Sequence, residues 1–231
     1  MQIMTEAGVA EAELDGDGAT ARFLLVLTHG AGGTVAAPDL LAARDAGLQL
    51  GGMVARVTQP YMVRGARAPG SAVRQDAAWV EIVAALRELA PGAPLVQGGR
   101  SNGARVACRT AAQVGARAVI ALAFPLRPPA RSVAGASRPA RGTSAARAPG
   151  AGKAPGQADP AMAAPTRAAE LHAAREGGAM VLVINGDRDP FGIPGAQDAD
   201  RVVIVPGETH ALKGHRAAIV AAVAEWLPAV L

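Results

Sequence analysis

The sequence predicts an α/β domain, a mostly parallel β-sheet sandwiched by helices. Short apolar runs such as "RFLLVLTHG" and "AMVLVING" recur and read as strands buried on both faces. Segments of helical period separate them, so strand and helix alternate along the chain. Most of the runs end in Gly or Pro, which punctuate turns.

In chain order, "AELDGDGATARF" reads as an antiparallel edge strand or hairpin, and "RFLLVLTHG" is the first buried strand. "APDLLAARDAGLQLG" follows as a helix, with Pro38 suited to its start and Gly47 or Gly51 to its end. "MVARVTQP" is a strand. "SAVRQDAAWVEIVAALRELA" is a helix that places Val73, Ala77, Val80 and Ala84 on one apolar face, with Ser71 as N-cap. Strand "APLVQGG", helix "NGARVACRTAAQVG" and strand "AVIALAFP" come next. Helix "TRAAELHAAREGG", strand "AMVLVING", strand "RVVIVPG" and a last helix bearing Ile219, Val223 and Trp226 complete the chain.

Residues 130 to 165 break the alternation. Ala, Gly and Pro fill 23 of these 36 positions, and Val133 and Met162 are the only large apolar residues. Such a stretch buries too little surface to offset its ordering entropy, so the expectation is a disordered insertion in one domain spanning 1–231. The charge sits there as well. Residues 126 to 165 carry +5 of a formal total of +4, which leaves the rest of the chain at −1. The basicity is thus one segment's property, and no nucleic-acid partner is expected.

Half of the residues are hydrophobic but only 3% are aromatic, so the core must be built from Ala, Val and Leu. One cysteine, Cys108, excludes an internal disulfide and a multi-cysteine zinc site. "MQIMTEAGVAEAELDGDG" is acidic without a long apolar run, so it does not read as a signal peptide. No run reaches the roughly 18 apolar residues of a membrane span. A cytoplasmic setting without membrane contact is expected.

Ligands of such sheets bind at the carboxyl ends of the strands. The polar residues just after strands are His29, Ser101, Asp187, Asp189 and His210. Ser101, one of only five serines, is fenced by glycines in Gly99-Arg100-Ser101-Asn102-Gly103, a G-x-S-x-G between strand and helix. In a nucleophile elbow the serine occupies a strained turn, and its neighbours two residues away must be small because backbone passes close by. A serine hydroxyl needs a base. "VPGETHALKGH" supplies His210, with His215 as the weaker candidate, whereas His172 falls in a helix. An acid to orient the base is available in "INGDRDPFGIP", as Asp187 or Asp189.

"THGAGG" after the first buried strand looks like a phosphate loop but is not one. A dinucleotide fingerprint needs glycine where Val35 stands, and a Walker A loop needs a lysine, of which there are only Lys153 and Lys213. An oxyanion loop fits instead, with the Ala31 and Asn102 amides as donors. No metal-ligand spacing is present, so no cofactor or metal is expected.

These motifs resemble the α/β-hydrolase superfamily, within it the small bacterial dienelactone-hydrolase-like and testis-expressed hydrolase-like group. "LTHGAGG", "QPY", "GGRSNGARVA", "FPLRPP", "NGDRDPFG" and "THALKG" follow that group's order over essentially the whole chain outside 130–165. The resemblance implies Ser101 as nucleophile, Asp189 as acid, His210 as base and a minimal cap. Dienelactone hydrolases proper carry a cysteine nucleophile, so their substrate is not carried over. The expectation is a serine hydrolase of the carboxylesterase or thioesterase kind, acting on a small-molecule acyl substrate. A non-catalytic binding or scaffold protein on the same fold is the rival class, one with no use for a complete Ser/Asp/His set.

Overall fold

The computed structural model of the protein describes residues 1–128 and 166–231. The insertion expected over 130–165 lies outside the described residues. Among the described residues eight strands form one sheet in the order β1-β2-β4-β3-β5-β6-β7-β8. They are β1 (Gln2–Thr5), β2 (Gly8–Asp15), β3 (Leu24–Thr28), β4 (Met53–Thr58), β5 (Leu95–Arg100), β6 (Ala118–Leu122), β7 (Met180–Gly186) and β8 (Arg201–Val205). The helices are α1 (Pro38–Gln49), α2 (Pro60–Val63), α3 (Ala72–Arg87), α4 (Asn102–Val114), α5 (Ala168–Glu176) and α6 (Arg216–Trp226).

From β4 to β8 every pairing is parallel, while β1 with β2 and β2 with β4 are antiparallel. The fold is therefore the mostly parallel α/β arrangement that the alternation implied. The edge hairpin begins earlier than "AELDGDGATARF", at Gln2. Its turn is set by Gly8 at φ 115°, and Ile3, Ala10 and Ala12 point inward with the period of two that a one-sided strand requires.

The sheet separates two apolar layers. Trp79, Ile82 and Leu86 of α3, Val106 and Ala107 of α4 and Leu171 of α5 pack on one face. Leu40 of α1 with Ile219, Val223 and Trp226 of α6 packs on the other. Strands covered on both sides must be apolar throughout, and β3 and β6 are buried at every position.

α3 is turned differently from the sequence expectation. Its buried residues are Gln75, Ala78, Trp79, Ile82, Val83 and Leu86, whereas Val73 is 80% exposed and Ala77 and Ala84 are exposed. Side-chain size decides this. Trp79, Ile82 and Leu86 each stabilise by roughly 1.5–3 kcal/mol on burial, far more than alanines on the opposite face. Ser71 is the N-cap residue but makes no side-chain capping bond.

The one polar side chain buried in the middle of β5 has its partners. Gln97 Oε1 accepts Trp79 Nε1–H at 2.7 Å, and its Nε2 donates to the Ala107 carbonyl at 2.7 Å. It thereby pins α3 and α4 to β5 just before the strand reaches its carboxyl end.

Candidate active site

Parallel pairing brings the carboxyl ends of β3, β5, β7 and β8 to one edge of the sheet. At the end of β5 the backbone makes a sharp reversal, and Ser101 adopts φ 53°, ψ −113°. This conformation is costly for a residue with a side chain and persists only where the surroundings enforce it. The enforcement is steric. A Cβ on Gly99 would lie 2.6 Å from the Thr28 carbonyl oxygen, and one on Gly103 would lie 2.5 Å from the same atom and 2.7 Å from the His29 carbonyl oxygen. The register explains the crowding, since Gly99 pairs with Thr28 across β5 and β3. The two glycines let α4 begin directly against β3, and the turn lifts Ser101 off the strand end.

Three side chains join in a line there. His210 Nε2 lies 2.9 Å from Ser101 Oγ, and His210 Nδ1 lies 2.8 Å from Asp189 Oδ2. A carboxylate only accepts, so Nδ1 carries the proton, and Nε2 is left to accept from the serine hydroxyl. Asp189 is buried and well held. Its Oδ2 also accepts Asn185 Nδ2–H at 3.1 Å, and its Oδ1 accepts the Phe191 N–H at 2.9 Å. Asn185 is fixed in turn by the Phe124 N–H at 2.8 Å and the Phe124 carbonyl at 3.1 Å. The Phe191 ring stands edge-on to His210, with centroids 4.5 Å apart. Asp187, the other acid considered, is exposed.

Ala31 lies in the turn after β3 and lines one cleft with Ser101 and Asn102. That turn is pinned from below. His29, fully buried, donates from Nδ1 to the Gly30 carbonyl at 2.9 Å and accepts the Gln59 N–H on Nε2 at 3.0 Å. Burial pushes its pKa down, so the ring is neutral and both nitrogens serve the backbone. Gly30 also abuts the serine, since a Cβ there would lie 3.1 Å from Ser101 Cβ. The Asn102 amide is the first N–H of α4 and has no intrahelical acceptor.

Two residues absent from the sequence reading complete the frame. Arg100 donates from Nη2 to the His210 carbonyl at 2.7 Å. Its Nε lies 2.8 Å from Oδ2 of the fully buried Asp39, an ion pair that lacks a well-directed hydrogen bond. Burial raises the Asp39 carboxyl to about 6, against the pull of Arg100. Neither residue has a sequence signature, because the pairings span long separations and Arg100 occupies a freely variable position of G-x-S-x-G.

The remaining candidates lie apart. His215 is the N-cap residue of α6, half exposed, with Nδ1 2.9 Å from Glu208 Oε1. His172 pairs with Asp198 at 3.1 Å on α5. The Cys108 thiol is buried, which pushes its pKa up and leaves it unreactive. The cleft beside Ser101 holds about 170 Å³. A larger hollow of about 600 Å³, lined by His172, Arg175, Gln197 and Asp200, lies at the amino end of β7, opposite the serine, and among the described residues has no serine, threonine or cysteine in its wall.

Residues 21–141 match a protein family described as an alpha/beta hydrolase domain. No curated protein matches the chain. Among solved structures, a lidless α/β serine hydrolase of Xanthomonas campestris superposes with a TM-score of 0.65 at 20% identity, covering 99% of this chain and 94% of its own. Est1E of Butyrivibrio proteoclasticus, solved with ferulic acid bound, gives a TM-score of 0.70 at 17% identity over 100% of this chain and 98% of its own. A dienelactone hydrolase of Anabaena variabilis gives 0.67 at 16% identity over 100% and 96%. At these identities the likeness is one of fold.

Proposed function

The chain belongs to the α/β-hydrolase family, and on that footing we propose that it is a serine hydrolase cleaving a small ester or thioester through an acyl-enzyme. One observation carries the reading: Ser101, in its strained turn, is joined to His210 at 2.9 Å and through it to Asp189 at 2.8 Å.

In this reading Ser101 Oγ attacks the acyl carbonyl carbon as its proton passes to His210 Nε2. The imidazolium is stabilised by the Asp189 carboxylate, which also fixes the tautomer. The negative charge that develops on the carbonyl oxygen faces the Ala31 and Asn102 amides. The bond to the leaving group breaks, and the leaving alcohol or thiol takes the proton from His210. Water then attacks the acyl-serine with His210 again accepting a proton. The products are the free acid and regenerated Ser101. A small-molecule substrate and a cytoplasmic setting go with this reading. Among the described residues no helix is long and apolar enough to cross a membrane.

The test is turnover of p-nitrophenyl acetate and of a short-chain acyl thioester by the protein and by Ser101→Ala. The reading requires measurable turnover that falls to the uncatalysed background in the variant. Equal turnover by both proteins would place the chemistry elsewhere.

A further inference from the structure

Resting on the serine-hydrolase reading, we infer that the cleft accepts an ester or thioester carrying an anionic group, a carboxylate or a phosphate, held by Arg167. The cleft walls include Arg105 and Arg167 and, among the described residues, contain no Asp or Glu. The two arginines are not in the same state. Arg105 is spent on Glu170, with Nε 2.9 Å from Oε2 and Nη2 2.5 Å from Oε1. Arg109 behind it holds Asp76 at 2.8 and 2.6 Å and approaches Glu170 at 3.5 Å. Among the described residues three arginines therefore face two carboxylates, and one positive charge is left over.

That charge resides on Arg167. Among the described residues its only acceptors are neutral carbonyls, Pro125 at 3.3 Å and Arg127 at 3.4 Å, both reached from Nη1. Burial, with Arg105 and Arg109 nearby, holds its pKa below the ordinary range, and Glu170 offsets this only in part. A guanidinium partly stripped of water and facing other cations gains most from an incoming anion, which it can grip with a planar pair of donors.

A second observation points the same way. Asn102 Nδ2 is buried in the wall of this cleft, and no acceptor reaches it among the described residues. Buried donors are normally paired, and a small rotation of the Asn102 side chain would bring this one to a ligand oxygen in the cleft. The Phe191 side of the cleft offers apolar surface for a short carbon skeleton, and about 170 Å³ limits that skeleton to a few carbons beyond the reacting group.

The experiment uses two matched ester pairs, one charged on the acyl side and one on the leaving side. They are p-nitrophenyl hydrogen adipate against p-nitrophenyl hexanoate, and γ-acetoxybutyrate against butyl acetate. The expected result is a higher kcat/KM for the anionic member of at least one pair, by about tenfold to a hundredfold, the worth of a charged hydrogen bond. Arg167→Gln should collapse that ratio and Arg167→Lys should keep part of it, because the charge remains without the fork. A ratio taken on one protein sample is independent of the fraction correctly folded. Equal or reversed preference in both pairs overturns the inference, as does a ratio unchanged in Arg167→Gln. Labelling of Ser101 by a fluorophosphonate without turnover of any of the four esters also overturns the substrate class, yet leaves the hydrolase reading standing. No labelling and no turnover overturns both.

Discussion

Arg100 and His210 stand 110 residues apart in sequence, yet the Arg100 guanidinium donates to the His210 carbonyl at 2.7 Å. The residue just before Ser101 thus holds the backbone of the proposed base, and Asp39 holds Arg100 in turn at 2.8 Å. The expected outcome for Arg100→Leu is a kcat reduced by about a hundredfold with KM nearly unchanged, since misplacing a catalytic group by about 1 Å costs that much. Arg100→Lys should recover part of the loss. Added guanidinium ion should partly restore Arg100→Gly, which a purely structural defect would not permit. A rise in KM alone, or no response to guanidinium, would remove Arg100 from this role.

Asp39 sets a pH dependence of stability. Its carboxyl is raised from 3.8 to about 6 by burial, so the folded state binds a proton more readily than the unfolded state. The stability it contributes is present below the unfolded value and lost as pH rises through about 6. Asp39→Asn cannot titrate and should gain on the native protein by up to about 3 kcal/mol between about pH 4 and pH 7. Denaturant unfolding at both pH values measures this. A difference between the two proteins that stays constant with pH would show that Asp39 does not titrate in the folded state.

The two histidines of the last loop make different contacts, His210 with Ser101 and Asp189 and His215 with Glu208. His210→Ala should lower ester turnover by several orders of magnitude, as loss of a triad base does. His215 touches Glu208, not Ser101, so His215→Ala should change turnover by less than about tenfold. The reverse ranking would move the base to His215.

The elbow glycine tests the strained turn. Gly103→Ala forces a methyl to within 2.5 Å of the Thr28 carbonyl oxygen. It should destabilise by about 1–3 kcal/mol, the range for an overpacked core site, and slow acylation of Ser101. Thermal unfolding together with the labelling rate checks both. Native stability with native labelling would mean that α4 can back away from β3 at no cost.

Most of the sheet was legible because strands covered on both faces must be apolar without a break, as "FLLVLT" and "VLVIN" are. Ser101 was legible because a strained serine between a strand and a helix requires glycines two residues to each side. The facing of α3 was not, because Val73, Ala77 and Ala84 satisfy the same period as Ala78, Ile82 and Leu86, and only the sheet beneath decides between them. β1 was missed because a strand of four residues leaves little pattern. Arg100, Asp39 and Arg167 were hidden for a different reason. Their meaning lies in contacts between distant segments, and arginine and aspartate are ordinary surface residues until a neighbour is known.

The most direct measurement of the central claim is labelling with a fluorophosphonate probe followed by peptide mapping. The expected result is a single adduct on Ser101, lost in Ser101→Ala with thermal unfolding unchanged, and slowed strongly in His210→Ala. A folded protein that takes no label at any pH between about 6 and 9, the range in which a histidine base can act, would contradict an activated Ser101 and favour a binding protein on a hydrolase fold. So would an adduct on any other serine.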